Sequence, residues 1–392
     1  MIEFLGDAYV LITNARELEA MLGEIEGCRA LAIDTEFMRD KTYYPLLCLV
    51  QLATDDAEYL IDPLALRNLK PLAGVLSDER TVKVFHAGRQ DRELLYINCG
   101  VVPRPVFDTQ AAAPLLGMPQ QVGYSTVVQD LCGVKLKKLD SLTDWSLRPL
   151  SSGQMRYSLE DVRYLIPMYD KMRDRLEQAG RLRWLDGEFA AMSDPAAFET
   201  READLWQKVK KASTLPRRQL VHASNLAIWR ERIARKRNIP RRWVLPDELV
   251  VEISRVEPET ADELYRIRGV REKLTSGMAK DVLELLKRGK ESDPSTWPVK
   301  EKRRVAQGGA DAMADVLMGI VRMRAKENRI APQVIAVHDE LVALAGGKRT
   351  GLDLLSGWRY DIVGRELVDF LDGKEALYVV DGRLATVPTP TE

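Results

Sequence analysis

Four cysteines, three histidines and a net formal charge of −1 across 392 residues leave little room for several common chemistries. Cys28, Cys48, Cys99 and Cys132 are widely spaced and form no CxxC pair, so neither a zinc knuckle nor a disulfide framework is indicated. They read as buried, reduced thiols, and the expected location is the cytoplasm. No run of about eighteen apolar residues occurs, which argues against a membrane-spanning helix. The opening MIEFLGDAYVLITNARELEA has no basic n-region and sets acids among its apolar residues, unlike a signal peptide. What is present is 45% hydrophobic and 30% charged, as in a globular protein, and the length calls for two or three domains.

The near-neutral total conceals a local imbalance. Between Arg201 and Arg242, thirteen Lys or Arg face three acids (Glu202, Asp204 and Glu231). Pro246 to Val270 reverses this, with seven acids against three Arg. The basic stretch is either a phosphate-contacting surface or a solvated helix face.

Residues 1–170 alternate strand-like and helix-like pieces, an α/β pattern with a mixed sheet, and the first domain is expected to span 1–190. RALAIDTEF, LCLVQLAT, AEYLIDP and TVKVFHA read as strands. LRNLKPLAGVLSD and RQDRELLYINCG read as helices, the second capped by Gly100, and YSTVVQDLCGV as a helix with Ser125 at its N-cap. Beyond residue 190 the strands fade. SDPAAFET reads as a linker, and two helical blocks follow, at 200–290 and 308–380, separated by GKESDPSTWPVKEKRRVAQGG. The blocks look like a diffuse repeat, with VLPDELV of one matched to IAPQVIA of the other.

Within the first strand, Asp34 and Glu36 fall on one face, because side chains alternate along a strand. Two like charges so close repel, and partial burial raises the cost. A solvated strand end or a bound divalent cation would accommodate them. Asp91 sits early in the helix after the fourth strand. In RYSLEDVRYL, Tyr157 and Asp161 lie four apart on one helix face and aim at a common point. Four carboxylates and a phenol suit two Mg²⁺ or Mn²⁺ ions, which take oxygen ligands and leave positions for water and phosphate. Two such ions about 4 Å apart serve in-line phosphoryl displacement.

DTEF, HAGRQD and YSLED, in this order, resemble the three exonuclease motifs of the DEDD superfamily, with the Tyr of the DEDDy branch. DTEFMRDKTYYPLLCLVQLA and LDSLTDWSLRPLS resemble the ribonuclease D family, and the helical blocks resemble its two HRDC domains. The resemblance covers nearly the whole chain and implies a ribonuclease H-like exonuclease domain followed by two all-α domains. It implies Asp34, Glu36, Asp91 and Asp161 as metal ligands, Asp34 bridging both ions, and Tyr157 orienting or deprotonating the attacking water. A phenol with a pKa near 10 is a poor bulk base, so orientation is the better role.

Other residues carry two readings each. His86 is a substrate contact or a hydrogen-bonded structural group. Phe37 is a wedge against terminal bases or core, and Gln51 is equally open. Asp108 reads as a helix cap, and Glu160 lies about 100° round the helix from Asp161, outside the ligand set. Lys208, Lys210, Lys211, Arg217, Arg218 and residues 235–237 are candidates to track an RNA backbone, with Trp229 and Trp243 read as core rather than base platforms.

The expected function is 3′→5′ hydrolysis of RNA to nucleoside 5′-monophosphates, acting on tRNA precursors and small structured RNAs. The rivals are a DNA exonuclease of the same fold and a catalytically silent RNA-binding protein. A monomer is expected, and so is a soluble, active chain after truncation near residue 295.

Overall fold

The computed structural model describes residues 9–136, 143–300 and 309–389. Residues 139–142 of the LDSLTDWSLRPLS stretch, and position 308 at the expected start of the last block, lie outside the described residues. The chain divides into two compact units. One is drawn from Met1–Glu36, Cys48–Ala197 and Arg304–Glu392, the other from Phe37–Leu47 and Phe198–Arg303.

The sheet has six strands: β1 (Val10–Ile12), β2 (Ala30–Met38), β3 (Leu46–Ala53), β4 (Glu58–Ile61), β5 (Val82–Phe85) and β6 (Val106–Asp108), in the order β1-β4-β3-β2-β5-β6. It is mixed as expected: β1 runs parallel to β4, β3 antiparallel to β4, and β5 parallel to both β2 and β6. β2 and β3 are near-continuous apolar runs because they lie centrally and are covered on both faces. Ala30, Ala32, Ala53 and Val84 share a core with Val127, Val128, Val162, Leu165 and Met168.

The first unit's longer helices are α1 (Ala15–Glu24), α2 (Arg89–Cys99), α3 (Tyr124–Cys132), α4 (Ser152–Arg163) and α5 (Leu165–Gln178). Gly100 closes α2 in the left-handed conformation, as its position predicts. The N-cap of α3 is Gly123 rather than Ser125, which lies inside the first turn. LRNLKPLAGVLSD is not one helix. Arg67 takes a left-handed turn and Pro71 enters a short 3₁₀ segment, leaving Pro63–Leu66 and Ala73–Ser77 as separate pieces.

The second unit is helical, built on α6 (Arg217–Arg237), α7 (Asp247–Val256) and α8 (Ser276–Glu291) around Leu220, Leu226, Val250, Ile253 and Val282. Much of its basic stretch is neutralised internally. Arg230 is buried on Asp247 at 2.7 Å, Arg232 pairs with Glu202, and Arg235 and Arg241 both face the buried Glu231. Tyr43, from the segment that follows β2, donates its hydroxyl to Glu231 and takes Arg241 over its ring at 4.9 Å.

The last block lies in the first unit, with α9 (Ala310–Asn328), α10 (His338–Ala345) and α11 (Arg365–Leu371). Trp358 stacks on Trp184 with centroids 4.5 Å apart and planes 4° from parallel. Arg181 reaches the carbonyls of Leu115 and Asn328, and the Ala331 amide donates to the Pro114 carbonyl at 2.9 Å. The block therefore shares a core with the sheet-bearing part of its unit.

Both helical blocks do repeat, but one element out of the expected match. α6 and α9 each end on a left-handed residue, Asn238 or Arg329, followed by Ile239 or Ile330 bonded back five residues. A proline then opens a short helix, Arg241–Val244 or Pro332–Ile335, and a DELV tetrapeptide opens or follows the start of α7 and α10. Pro332 thus corresponds to Pro240, not to Pro246.

The last described elements are strands. β7 (Glu375–Val380) and β8 (Arg383–Pro388) form an antiparallel hairpin turned by Asp381 and Gly382, both at positive φ. Asp-Gly between alternating apolar residues is the signal for such a turn, and it stands in ALYVVDGRLATV.

Candidate active site

β2 carries Asp34 and Glu36 half-buried on one face, with the intervening Thr35 buried on the other. Asp161 joins them from α4. One carboxylate oxygen from each of Asp34, Glu36 and Asp161 lies within 4.8 Å of the others. The helix that delivers Asp161 is fixed at both ends. A capping box between Ser151 and Gln154 starts it, and Arg163 at its end makes a two-bond ion pair with Glu58 of β4, each bond 2.7 Å. The four-residue spacing sets Tyr157 on the same face as Asp161, close enough for the phenol to lower that carboxyl's affinity for protons. The buried Trp145 packs beside the Tyr157 ring with centroids 6.0 Å apart.

Asp91 occupies the first turn of α2 and is buried. It stands outside the tight trio, and Thr35 donates a hydroxyl to it at 2.5 Å. Its charge nevertheless acts on all three carboxylates of the trio. The turn before α2 is built for that placement. A Cβ on Gly88 would sit 2.5 Å from the Phe85 side chain, so only glycine fits. Asp108 accepts from the Ala87 and Gly88 amides while also capping the next helix at Gln110, as the sequence predicts of it.

Burial raises the affinity of these carboxyls for protons, and their mutual repulsion adds to it. Glu36 is pushed up to about 8, and Asp34, Asp91 and Asp161 are also raised. Burial, then the acid charges, raise the Tyr157 phenol above its ordinary value, so it remains protonated at neutral pH. Half-buried oxygen donors that repel one another fit a hard divalent cation.

The structure separates the readings of His86, Gln51 and Trp243. The His86 ring is engaged by the protein at both nitrogens: Nδ1 meets the Thr109 hydroxyl at 2.9 Å, and Nε2 donates to the Val122 carbonyl at 3.1 Å. It holds structure rather than waiting for substrate. Gln51 is fully buried on β3 with neither amide atom hydrogen-bonded, so it belongs to the sheet interior and not to a substrate surface. Trp243 is 54% exposed, against the expected core placement, whereas Trp229 packs on the core. Phe37 is half-buried at the end of β2. Lys210, Lys211, Arg217 and Arg218 are all exposed, although Arg218 pairs with Glu257.

Sequence reasoning missed Tyr124. Its hydroxyl donates at 2.7 Å to the Glu160 carbonyl, beside Asp161, and its ring meets His86 edge-on at 5.6 Å. His86 and Gln110 both hold the Val122 carbonyl two residues earlier. The HAG histidine thus supports the loop that steadies α4. Nothing in local spacing signals this, because it joins residues 86, 124 and 160.

The profile described as 3′-5′ exonuclease matches residues 9–177, and that described as HRDC domain matches residues 219–286. Ribonuclease D of Bartonella henselae is 37% identical over 379 residues, covering 96% of this chain and 93% of that protein. Ribonuclease D of Sphingobium indicum is 37% identical over 383 residues, covering 97% and 98%. The structure is similar to that of Escherichia coli RNase D, described as an exoribonuclease involved in structured RNA processing, with a TM-score of 0.79, 28% identity and coverage of 93% and 99%. With the sheet, the acid trio and end-to-end similarity in agreement, the chain belongs to the ribonuclease D family.

Proposed function

We propose that the chain is a 3′→5′ exoribonuclease that hydrolyses the last phosphodiester and releases nucleoside 5′-monophosphates. The observation that carries this reading is the convergence of Asp34, Glu36 and Asp161 beside the Tyr157 hydroxyl. Asp34, Glu36, Asp161 and Asp91 would hold two divalent ions, Mg²⁺ or Mn²⁺. Bound there, the ions would offset charge on the attacking and leaving oxygens. The protein's own part is positional. Tyr157 stays protonated, so its hydroxyl orients water for attack on phosphorus and does not remove the proton. The bond from phosphorus to the penultimate 3′ oxygen breaks, and that oxygen leaves as the new 3′ hydroxyl.

The substrates would be tRNA precursors and other small structured RNAs, in keeping with the description of the E. coli relative. Exposed Lys210, Lys211, Arg217 and Arg218 would meet phosphates, with Trp243 available to stack on a base. The recurring helix order supports two HRDC domains, with boundaries at 200–290 and 308–380 after an exonuclease domain at 1–190. The four cysteines are free thiols, in keeping with the reducing cytoplasm, where the chain would act as a monomer. No helix among the described residues is long and apolar enough to cross a membrane.

Matched RNA and DNA oligonucleotides, labelled at the 5′ end and incubated with Mg²⁺ or Mn²⁺, test the reading. Stepwise shortening of RNA with mononucleotide 5′-monophosphates as products is expected. Preferential degradation of DNA, or binding with no cleavage, would overturn it.

A further inference from the structure

In the helical second unit, a cavity of about 480 Å³ opens between the end of α7 and the outer face of α8. That volume is within the range of small-ligand sites, about 300–1,000 Å³. His222 of α6 lines it and is only 1% exposed, yet neither ring nitrogen has a hydrogen-bond partner. The nearest carboxylate, on Glu257, is 3.9 Å from Nε2, beyond bonding distance. Buried polar atoms normally find partners, so an imidazole held this way is an unfilled position. Helix α8 makes room for it with a glycine in its last turn. A Cβ on Gly289 would stand 2.7 Å from His222 Nδ1.

The cavity's charges identify what fits. Each lining acid is already matched: Glu257 by Arg218, Glu259 by Lys290, Glu284 by Arg288 and Glu291 by Lys287. An anion or a metal ion therefore finds no free counter-charge. Burial lowers the His222 pKa from its ordinary value, which leaves a neutral ring with one N–H and one lone pair. Pro258, Leu283 and Leu286 supply apolar wall. Nδ1 faces Gly289 of α8, so Nε2, on the Glu257 side, is the nitrogen a ligand would meet, and the matching ligand is uncharged and flat-faced with one polar atom for it. A nucleobase has this chemistry.

We infer that this cavity takes a base of the RNA strand, with its polar edge on His222 and its faces on the apolar wall. The inference rests on the exoribonuclease reading, which supplies the RNA. The first helical block thereby reads a base as well as attracting phosphates, at a place separate from the acids that do the chemistry.

The chain has three histidines, so its imidazole proton resonances can be resolved individually by NMR. The full-length protein, held in EDTA to prevent cleavage, is titrated with each of the four ribonucleosides, then with an eight-nucleotide RNA and its abasic counterpart. A saturable shift of the His222 resonance is expected with at least one nucleoside, while exposed His338 stays unmoved. The intact RNA should bind about 10-fold more tightly than the abasic strand, a difference near the lower end for one stacked base. His222→Phe, or Leu283→Trp where the first variant folds poorly, should erase that difference. An unmoved His222 resonance, or one moved by inorganic phosphate or spermidine instead of nucleosides, would overturn the inference. Release of 5′-monophosphate from a dinucleotide with Mg²⁺ is followed separately. Its failure in the wild type would remove the exoribonuclease reading, while its persistence without nucleoside binding removes only the base cavity.

Discussion

At the residue scale, the site gathers groups that destabilise one another and are tolerable only with a counter-charge. Glu36, at about 8 in the folded protein against an ordinary 4.5, holds its proton in the native state where the unfolded chain has lost it. Metal-free protein should therefore lose stability as pH rises from about 4.5 to 8, because the native state binds more protons through that window. Thermal melts in chelator at pH 5 and pH 8 test this, with the lower midpoint expected at pH 8 and recovered by Mn²⁺. A midpoint that rises with pH would contradict the repulsion argument. Tyr157 has a different role. Tyr157→Phe should keep metal and RNA binding and lose about 10²–10⁴ in single-turnover rate, the usual worth of a positioned acid or base group. A rate equal to wild type would make the tyrosine a packing residue.

At the element scale, what the sequence discloses depends on distance along the chain. The pair Asp34 and Glu36 is legible because a strand repeats every two residues, and Tyr157 with Asp161 because a helix nearly repeats every four. Asp108 as a cap, and Gly100 as a helix stop, are equally local. Thr35 on Asp91, Tyr124 on Glu160 and His86 on Val122 are illegible, since each joins segments that only tertiary folding brings together. The β7–β8 hairpin is signalled by Asp381-Gly382 but overshadowed by the helical pattern before it. The α9–α11 block likewise hid its attachment: Trp358 and Trp184 stack across more than a hundred residues. Truncation near residue 295 is accordingly not neutral. The shortened chain should expose Trp184 and the Pro114 carbonyl, melt at lower temperature and aggregate more readily than the full chain. An unchanged melting midpoint would mean that this packing contributes nothing.

At the scale of the whole molecule, a net charge of −1 coexists with local cationic surface, but less of it than the count of basic residues implies. Arg230, Arg232, Arg235 and Arg241 already have carboxylate partners, whereas Lys210, Lys211, Arg217, Lys236 and Arg237 are exposed cations able to meet RNA. If Lys210, Lys211, Arg217 and Arg218 contact phosphates, log K should fall against log salt with a slope of about −0.7 per contact. Replacing all four by Ala should flatten that slope and weaken RNAs of different sequence alike. An unchanged slope would assign the RNA path to another surface.

Beneath all three scales lies the claim that the acid trio, reached from β2 and α4, performs the hydrolysis. The most direct test is the single-turnover rate of 3′-nucleotide release from a 5′-labelled RNA, measured with Mg²⁺ or Mn²⁺ for wild type and Asp34→Asn. The substitution keeps the side chain's size, removes one repelling charge and should leave folding intact. The account predicts release near the background rate, in a protein whose metal-free melting midpoint is equal to or above that of wild type. Wild-type release by well-folded Asp34→Asn would contradict it.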